Sequence, residues 1–164
     1  MAIKINVAQK DQEALNRILV ARGYSYQRRK FHCTLGFIEK GIPEEEAHTF
    51  GQSICHELQK LVDVEPLLYE VGKAVPLFGR VLVFLPTARS EKHLKKLNLW
   101  LFHKVQEISE DRWGLNKETL SENYTPHLTL WHTHRPDHRL KKLEEVANTH
   151  PTYHLTNTAY VIFN

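Results

Sequence analysis

The chain has 164 residues, 41% hydrophobic and 25% charged, with seven Gly and seven Pro spread along it; this excludes disordered and collagen-like classes and leaves room for one domain or two small lobes. Its 22 Lys and Arg against 19 Asp and Glu leave a formal charge of +3, divided almost evenly between the halves, so charge alone announces no nucleic-acid-binding face. Two cysteines, Cys33 and Cys55, predict reduced core thiols and not a disulfide framework, and the absence of an apolar h-region in MAIKINVAQK and of any 18-residue apolar run predicts neither secretion signal nor membrane span, with the cytoplasm as the expected compartment.

Residues 2–7 alternate Ile3, Ile5 and Val7 with Lys4 and Asn6, the period of a strand; Leu15, Ile18 and Leu19 then mark a helix over about 11–22 that Gly23 stops. A second strand is read at 31–38. After Gly41, Pro43 and three acids open a helix whose stripe is Ala47, Phe50, Ile54, Leu58 and Leu61. A strand at about 64–71 leads into GKAVPLFG, where Gly72, Pro76 and Gly79 set a seam between two halves, roughly 1–75 and 76–164. Residues 81–85 form a continuous apolar strand, and Pro86 and Ser90 open a helix carrying Leu94, Leu97, Leu101, Val105 and Ile108. SEDRWGLNKETLSENYTP reads as a long loop, as well suited to a lid or binding element as to plain solvent exposure. A strand at 127–132, a helix near 138–147 with Leu140, Leu143 and Val146, and a strand within 153–163 complete the chain. The order is βαβαβ written twice, which predicts an α+β fold of two matching lobes whose middle strands meet at one cleft.

Each middle strand carries H-x-T-L, in FHCTLGF at 31–37 and PHLTLW at 126–131. Random placement of eleven His, eleven Thr and twenty-one Leu yields roughly 0.1 such tetrapeptides, so the doublet is signal. Strand alternation sets His32 and Thr34 opposite Phe31, Cys33, Leu35 and Phe37, and sets His127, Thr129 and Trp131 opposite Leu128 and Leu130. Of two further H-x-T triplets, His150-Pro151-Thr152 is disfavoured on a ladder by its proline, while His154 with Thr156 stands as an alternative to either motif histidine.

Two imidazoles across a cleft, one neutral and one protonated, can take a proton from an attacking oxygen and give one to a leaving oxygen. Two Thr hydroxyls can hold the non-bridging oxygens of a phosphodiester. The scheme calls for no nucleophilic Ser or Cys, and Glu39 and Asp137, the nearest acids, build no carboxylate cluster around either His, so neither metal nor cofactor is expected. Arg80 and the triplet Arg28, Arg29 and Lys30 are secondary candidates for attracting phosphate, and Trp131 for stacking a base, beside the plainer readings of solvated loop and cleft-wall filler. The rival run His132-Thr133-His134-Arg135-Pro136-Asp137-His138 is similar to the H-x-H-x-D-H metal signature of metallo-β-lactamase-type hydrolases, with one residue too many; a strand end followed by a helix start is the plainer reading.

With both motifs in place the chain resembles the 2H phosphoesterase superfamily, which includes the ligT-like RNA 2′,3′-cyclic phosphodiesterases and 2′,5′ RNA ligases, and the resemblance spans nearly the whole sequence. It implies a bilobal, pseudo-symmetric α+β duplication with antiparallel sheets lining a central cleft and helices outside. It implies metal-free hydrolysis of 2′,3′-cyclic or 2′,5′-linked phosphates, with His32 and Thr34 from the first motif and His127 and Thr129 from the second. By the same resemblance His127 is the water-activating base and His32 the acid. Cys33 departs from the aliphatic residue common in the family, and the chain is short for it, which leaves substrate size open. The expected partner is an RNA end or a nucleotide phosphodiester, met by a monomer. The alternatives are a 2′,5′-phosphodiesterase and a 2H-like module that grips RNA ends or nucleotides without turning them over.

Overall fold

The alternation of Ile3, Ile5 and Val7 with polar residues forms β1 (Ala2–Val7) in the computed structural model, which describes residues 1–39, 41–77, 81–132 and 140–163. The chain continues through α1 (Gln9–Ala21), β2 (His32–Phe37), α2 (Glu44–Val64), β3 (Leu67–Leu77), β4 (Val81–Pro86), α3 (Ala88–Ser109), β5 (Leu128–His132), α4 (Leu140–Thr149) and β6 (Thr152–Val161). Among the described residues the fold is therefore α+β, with four α-helices on six antiparallel strands. No described helix is long and apolar enough to cross a membrane.

Where the sequence predicts separate sheets, the structure joins all six strands into one closed barrel in the order β1-β2-β5-β4-β3-β6. The joins run between the halves: β6 pairs with both β1 and β3, and β2 pairs with β5. Alternate strand residues, among them Ile3, Ile5, Cys33, Leu35, Tyr69, Leu82, Phe84, Leu128 and Leu155, pack in one core cluster with Leu15 and Leu19 of α1, Ile54 and Leu58 of α2, Leu101 and Val105 of α3, and Leu143 and Val146 of α4. That burial of apolar stripes against a half-apolar sheet is the main source of stability, at about 25 cal/mol per Å² removed from water.

GKAVPLFG is largely strand. β3 runs on through Pro76, which faces Leu82 of β4, and proline is tolerated there because β6 pairs with residues 67–70 only, leaving one ladder neighbour beyond them among the described residues. Gly72 is the inserted residue of a bulge between Val71 opposite Pro86 and Lys73 opposite Leu85. A Cβ at Gly72 would lie 2.7 Å from the Pro86 carbonyl oxygen, so the close approach of the two backbones requires glycine. The seam between halves thus contracts to the β3–β4 connection.

Buried polar side chains fasten the connections that matter for the cleft. Gln12 of α1 accepts from the Phe31 N–H (2.7 Å) and donates to the Arg29 carbonyl (3.1 Å), and Asn16 bonds both the N–H and the carbonyl of Gln27. The basic loop before β2 is thereby sewn onto a helix. Ser90, next to the Thr87 N-cap of α3, accepts from the Glu70 N–H and donates to the Leu68 carbonyl, which ties the start of α3 to β3. The segment after α3 is also docked: Ile38 bridges Leu115, the Asn116 N–H donates to the Phe37 carbonyl (2.7 Å), and the Phe37 N–H donates to Thr119 Oγ1 (3.1 Å). Two short 3-10 helices, Lys117–Thr119 and Ser121–Asn123, replace the expected open loop.

Candidate active site

β2 meets β5 with His32 opposite Thr129 and Cys33 opposite Leu128. Carried one residue further, this antiparallel register sets Thr34 opposite His127. Because facing residues share a face and alternate residues share it again, the two imidazoles and two hydroxyls make the corners of one rectangle. All four are half-buried, while Cys33 and Leu128 between them are fully buried on the other face. The histidines occupy a diagonal, so their backbones stand roughly 7–8 Å apart, and both line one cavity.

The fourth letter of each motif has a structural meaning. Along β1 the register steps from Ile3 opposite Gly36 to Lys4 opposite Thr34, so Leu35 is the inserted residue of a bulge. Along β4 it steps from Leu82 opposite Trp131 to Val83 opposite Thr129, so Leu130 is inserted in the same way. A bulge bends the strand and breaks its alternation just past the H-x-T pair. Both leucines are buried, and the Leu35 carbonyl is taken by Asn98 of α3 at 2.6 Å, which also holds the Thr119 carbonyl at 2.6 Å. The bulge corrects one expectation: Phe37, which alternation assigns to the core with Cys33, is 39% exposed on the cavity side, with its ring 6.1 Å from that of Phe163.

Each imidazole is oriented by the same contact. His32 Nδ1 lies 3.0 Å from the Lys30 carbonyl and His127 Nδ1 lies 2.9 Å from the Thr125 carbonyl, in both cases two residues back along the chain. A carbonyl can only accept, so Nδ1 carries the proton in each ring and the proton that titrates is the one on Nε2. Burial pulls the His127 imidazole below the ordinary histidine pKa of 6.5, opposed in part by the Thr125 carbonyl. His127 is accordingly neutral at pH 7, with an Nε2 lone pair ready to accept.

Two cavities meet at these residues. The smaller, about 300 Å³, is lined by all four motif side chains together with Lys4, Arg29 and Lys30. The larger, about 910 Å³, shares Thr34, His127, Phe37, Leu77 and Phe163 with the first and extends under the 3-10 segment to Asn116, Glu118, Thr119 and Asn123. The segment that the sequence left open between lid, binding element and solvent loop is thus a cavity wall. Lys4, Phe37 and Phe163 are lining residues that the sequence reading did not select; for Lys4 the signal was present, since it alternates with Ile3 and Ile5 on the polar face of β1.

The remaining candidates separate. Arg29 and Lys30 line the smaller cavity, whereas Arg80 lies outside the described residues. Trp131 belongs to β5, but the bulge at Leu130 breaks the alternation on which its expected position rested, and its side chain lies outside the described part. His154, the alternative histidine, lies on β6 with Nδ1 2.9 Å from Asp11 Oδ2 and its own N–H on the same oxygen. Of the metal-like run, His132 ends β5 and residues 133–139 lie outside the described residues; among the described residues no three His, Cys, Asp or Glu groups converge on one point. Cys33 and Cys55 are free thiols, both pushed up to about 11 by burial. No protein-family model and no curated protein matches this chain, so the chemistry of the site rests on its own residues.

Proposed function

We propose that the protein is a phosphodiesterase of the 2H type that hydrolyses 2′,3′-cyclic phosphates of RNA ends or nucleotides, with 1–164 as a single domain of two pseudo-symmetric lobes. The observation that carries this reading is the pair of histidines, one from each half, each with Nδ1 held by the carbonyl two residues back and each lining one cavity beside a threonine. A duplication is supported by topology: exchanging β1 with β4, β2 with β5 and β3 with β6 reproduces the same set of strand neighbours, and the motif bulges fall at Leu35 and Leu130 alike.

In the proposed reaction, neutral His127 takes a proton through Nε2 from a water attacking phosphorus. The new P–O bond forms as one ring P–O bond breaks, and protonated His32 delivers its Nε2 proton to the departing ribose oxygen. The product is a phosphomonoester beside a free hydroxyl. Thr34 and Thr129 donate to the non-bridging oxygens, where negative charge resides throughout. The lowered pKa of His127 favours it for the base role. The chemistry asks only for these two imidazoles and two hydroxyls.

The test is a panel of 2′,3′-cyclic and 2′,5′-linked nucleotides assayed with chelator present, comparing the parent with His32→Ala and His127→Ala. Each substitution is expected to lower kcat by about 10²–10⁴-fold, and each Thr→Ala by less, since one donor remains. A parent protein that leaves every substrate intact over a wide pH range overturns the proposal. Saturable binding with no turnover would instead identify a binding module, and preferential cleavage of 2′,5′ linkages a 2′,5′-phosphodiesterase.

A further inference from the structure

Lys4 stands beside Thr34 across the β1–β2 ladder, on the same face as the motif residues, and is half-buried. Arg29 and Lys30 line the same cavity from the loop that Gln12 and Asn16 fasten to α1. No carboxylate is found among the described residues lining this cavity, whereas Glu39 and Glu118 line the larger one. The two sides of the catalytic rectangle therefore differ in sign.

We infer that Lys4, with Arg29 and Lys30, forms a second anion subsite, so that the substrate carries a further phosphate on the Lys4 side of the scissile one and its uncharged base on the side of the larger cavity. This inference rests on the proposed function for the identity of the scissile group. Three arguments carry it. A single phosphodiester brings one negative charge, and three cationic residues line the cavity where one would balance it. Burial, and to a smaller extent the nearby Arg29, disfavours the charged form of Lys4, so an anion bound beside the two would be stabilised. The other half makes the comparison: the residue facing Thr129 on β4, where Lys4 faces Thr34 on β1, is Val83, fully buried. The fold needs no cation at that position.

Calorimetry with two product mimics tests this without requiring turnover. Adenosine 2′-phosphate and adenosine 2′,5′-bisphosphate differ only in the second phosphate. The parent should bind the bisphosphate about tenfold or more tightly, the effect of a charge-assisted contact. In Lys4→Gln that ratio should fall towards one and in Lys4→Arg it should be restored; Arg29→Gln, on an exposed loop, should lose part of it without altering a strand. A diadenylate ending in a 2′-phosphate, whose second phosphate is a diester, should gain similarly if RNA ends are the substrate, and gain less than the bisphosphate if 5′-phosphorylated mononucleotides are. A ratio near one in the parent, or an undiminished ratio in both Lys4→Gln and Arg29→Gln, overturns the subsite. Absence of hydrolysis would sink the proposed function and leave this readout intact.

Discussion

Replacing Tyr69 with Phe removes one oxygen atom from the middle of the barrel, and its consequence can be worked from the ladder it interrupts. Phe84 of β4 and Leu128 of β5 are register partners, yet the Leu128 N–H donates to the Tyr69 hydroxyl at 3.2 Å and that hydroxyl donates in turn to the Phe84 carbonyl. The hydroxyl thus stands in the ladder between two strands, at residues that are fully buried. In Tyr69→Phe the ring is kept and the bridge lost, leaving a buried N–H and a buried C=O unpaired. At about 1–3 kcal/mol for a buried group left unsatisfied, the two together should destabilise the fold by about 2–6 kcal/mol, or about 4–24 °C in Tm for a chain of this size. Urea and thermal unfolding followed by circular dichroism measure it. Because Leu128 directly follows His127, kcat on a cyclic phosphate should fall more than KM rises. A loss below about 0.5 kcal/mol with unchanged kcat would refute the reasoning, since it would mean that β4 and β5 close on each other without the hydroxyl.

His127 must be neutral to act as base, so kcat/KM should rise with pH along an acidic limb whose midpoint lies below 6.5; a midpoint above 6.5 contradicts the role. The same lowered pKa has a stability consequence: the unfolded chain binds more protons in the window below 6.5, so this contribution is present above that window and lost as pH falls through it, and His127→Ala should flatten that part of the unfolding profile. Gln12→Leu should cost about 1–3 kcal/mol in urea unfolding and lower kcat more than it raises KM, because Gln12 holds the backbone on both sides of Lys30, whose carbonyl orients His32; Gln12→Glu keeps the acceptor for Phe31 and should lose less, and an unaffected kcat in Gln12→Leu argues against the clamp. Gly72→Ala should destabilise by about 1–3 kcal/mol despite alanine's smaller backbone-entropy cost on folding, because its Cβ meets backbone at Pro86 that cannot swing aside, and a stabilised variant would show that the bulge relaxes.

Period and punctuation in the sequence determined the order of the ten helices and strands among the described residues and the burial of Cys33 and Leu128, and nominated His32, Thr34, His127 and Thr129 as candidates, because alternation and helical stripes are local properties that each segment carries for itself. Ladder partners are not local. Which strand lies beside which, that β6 and β2 stitch the halves into one barrel, and that His32 comes to face Thr129 depend on pairings between residues about a hundred positions apart, which only the folded chain selects. The same cause explains the misplaced Phe37: a bulge arises from how two strands mate, and nothing within 31–37 alone announces it. Lys4 was visible as a polar residue on a strand and acquired its meaning only when β1 was laid against β2, where the tertiary structure turned an alternating lysine into a neighbour of Thr34.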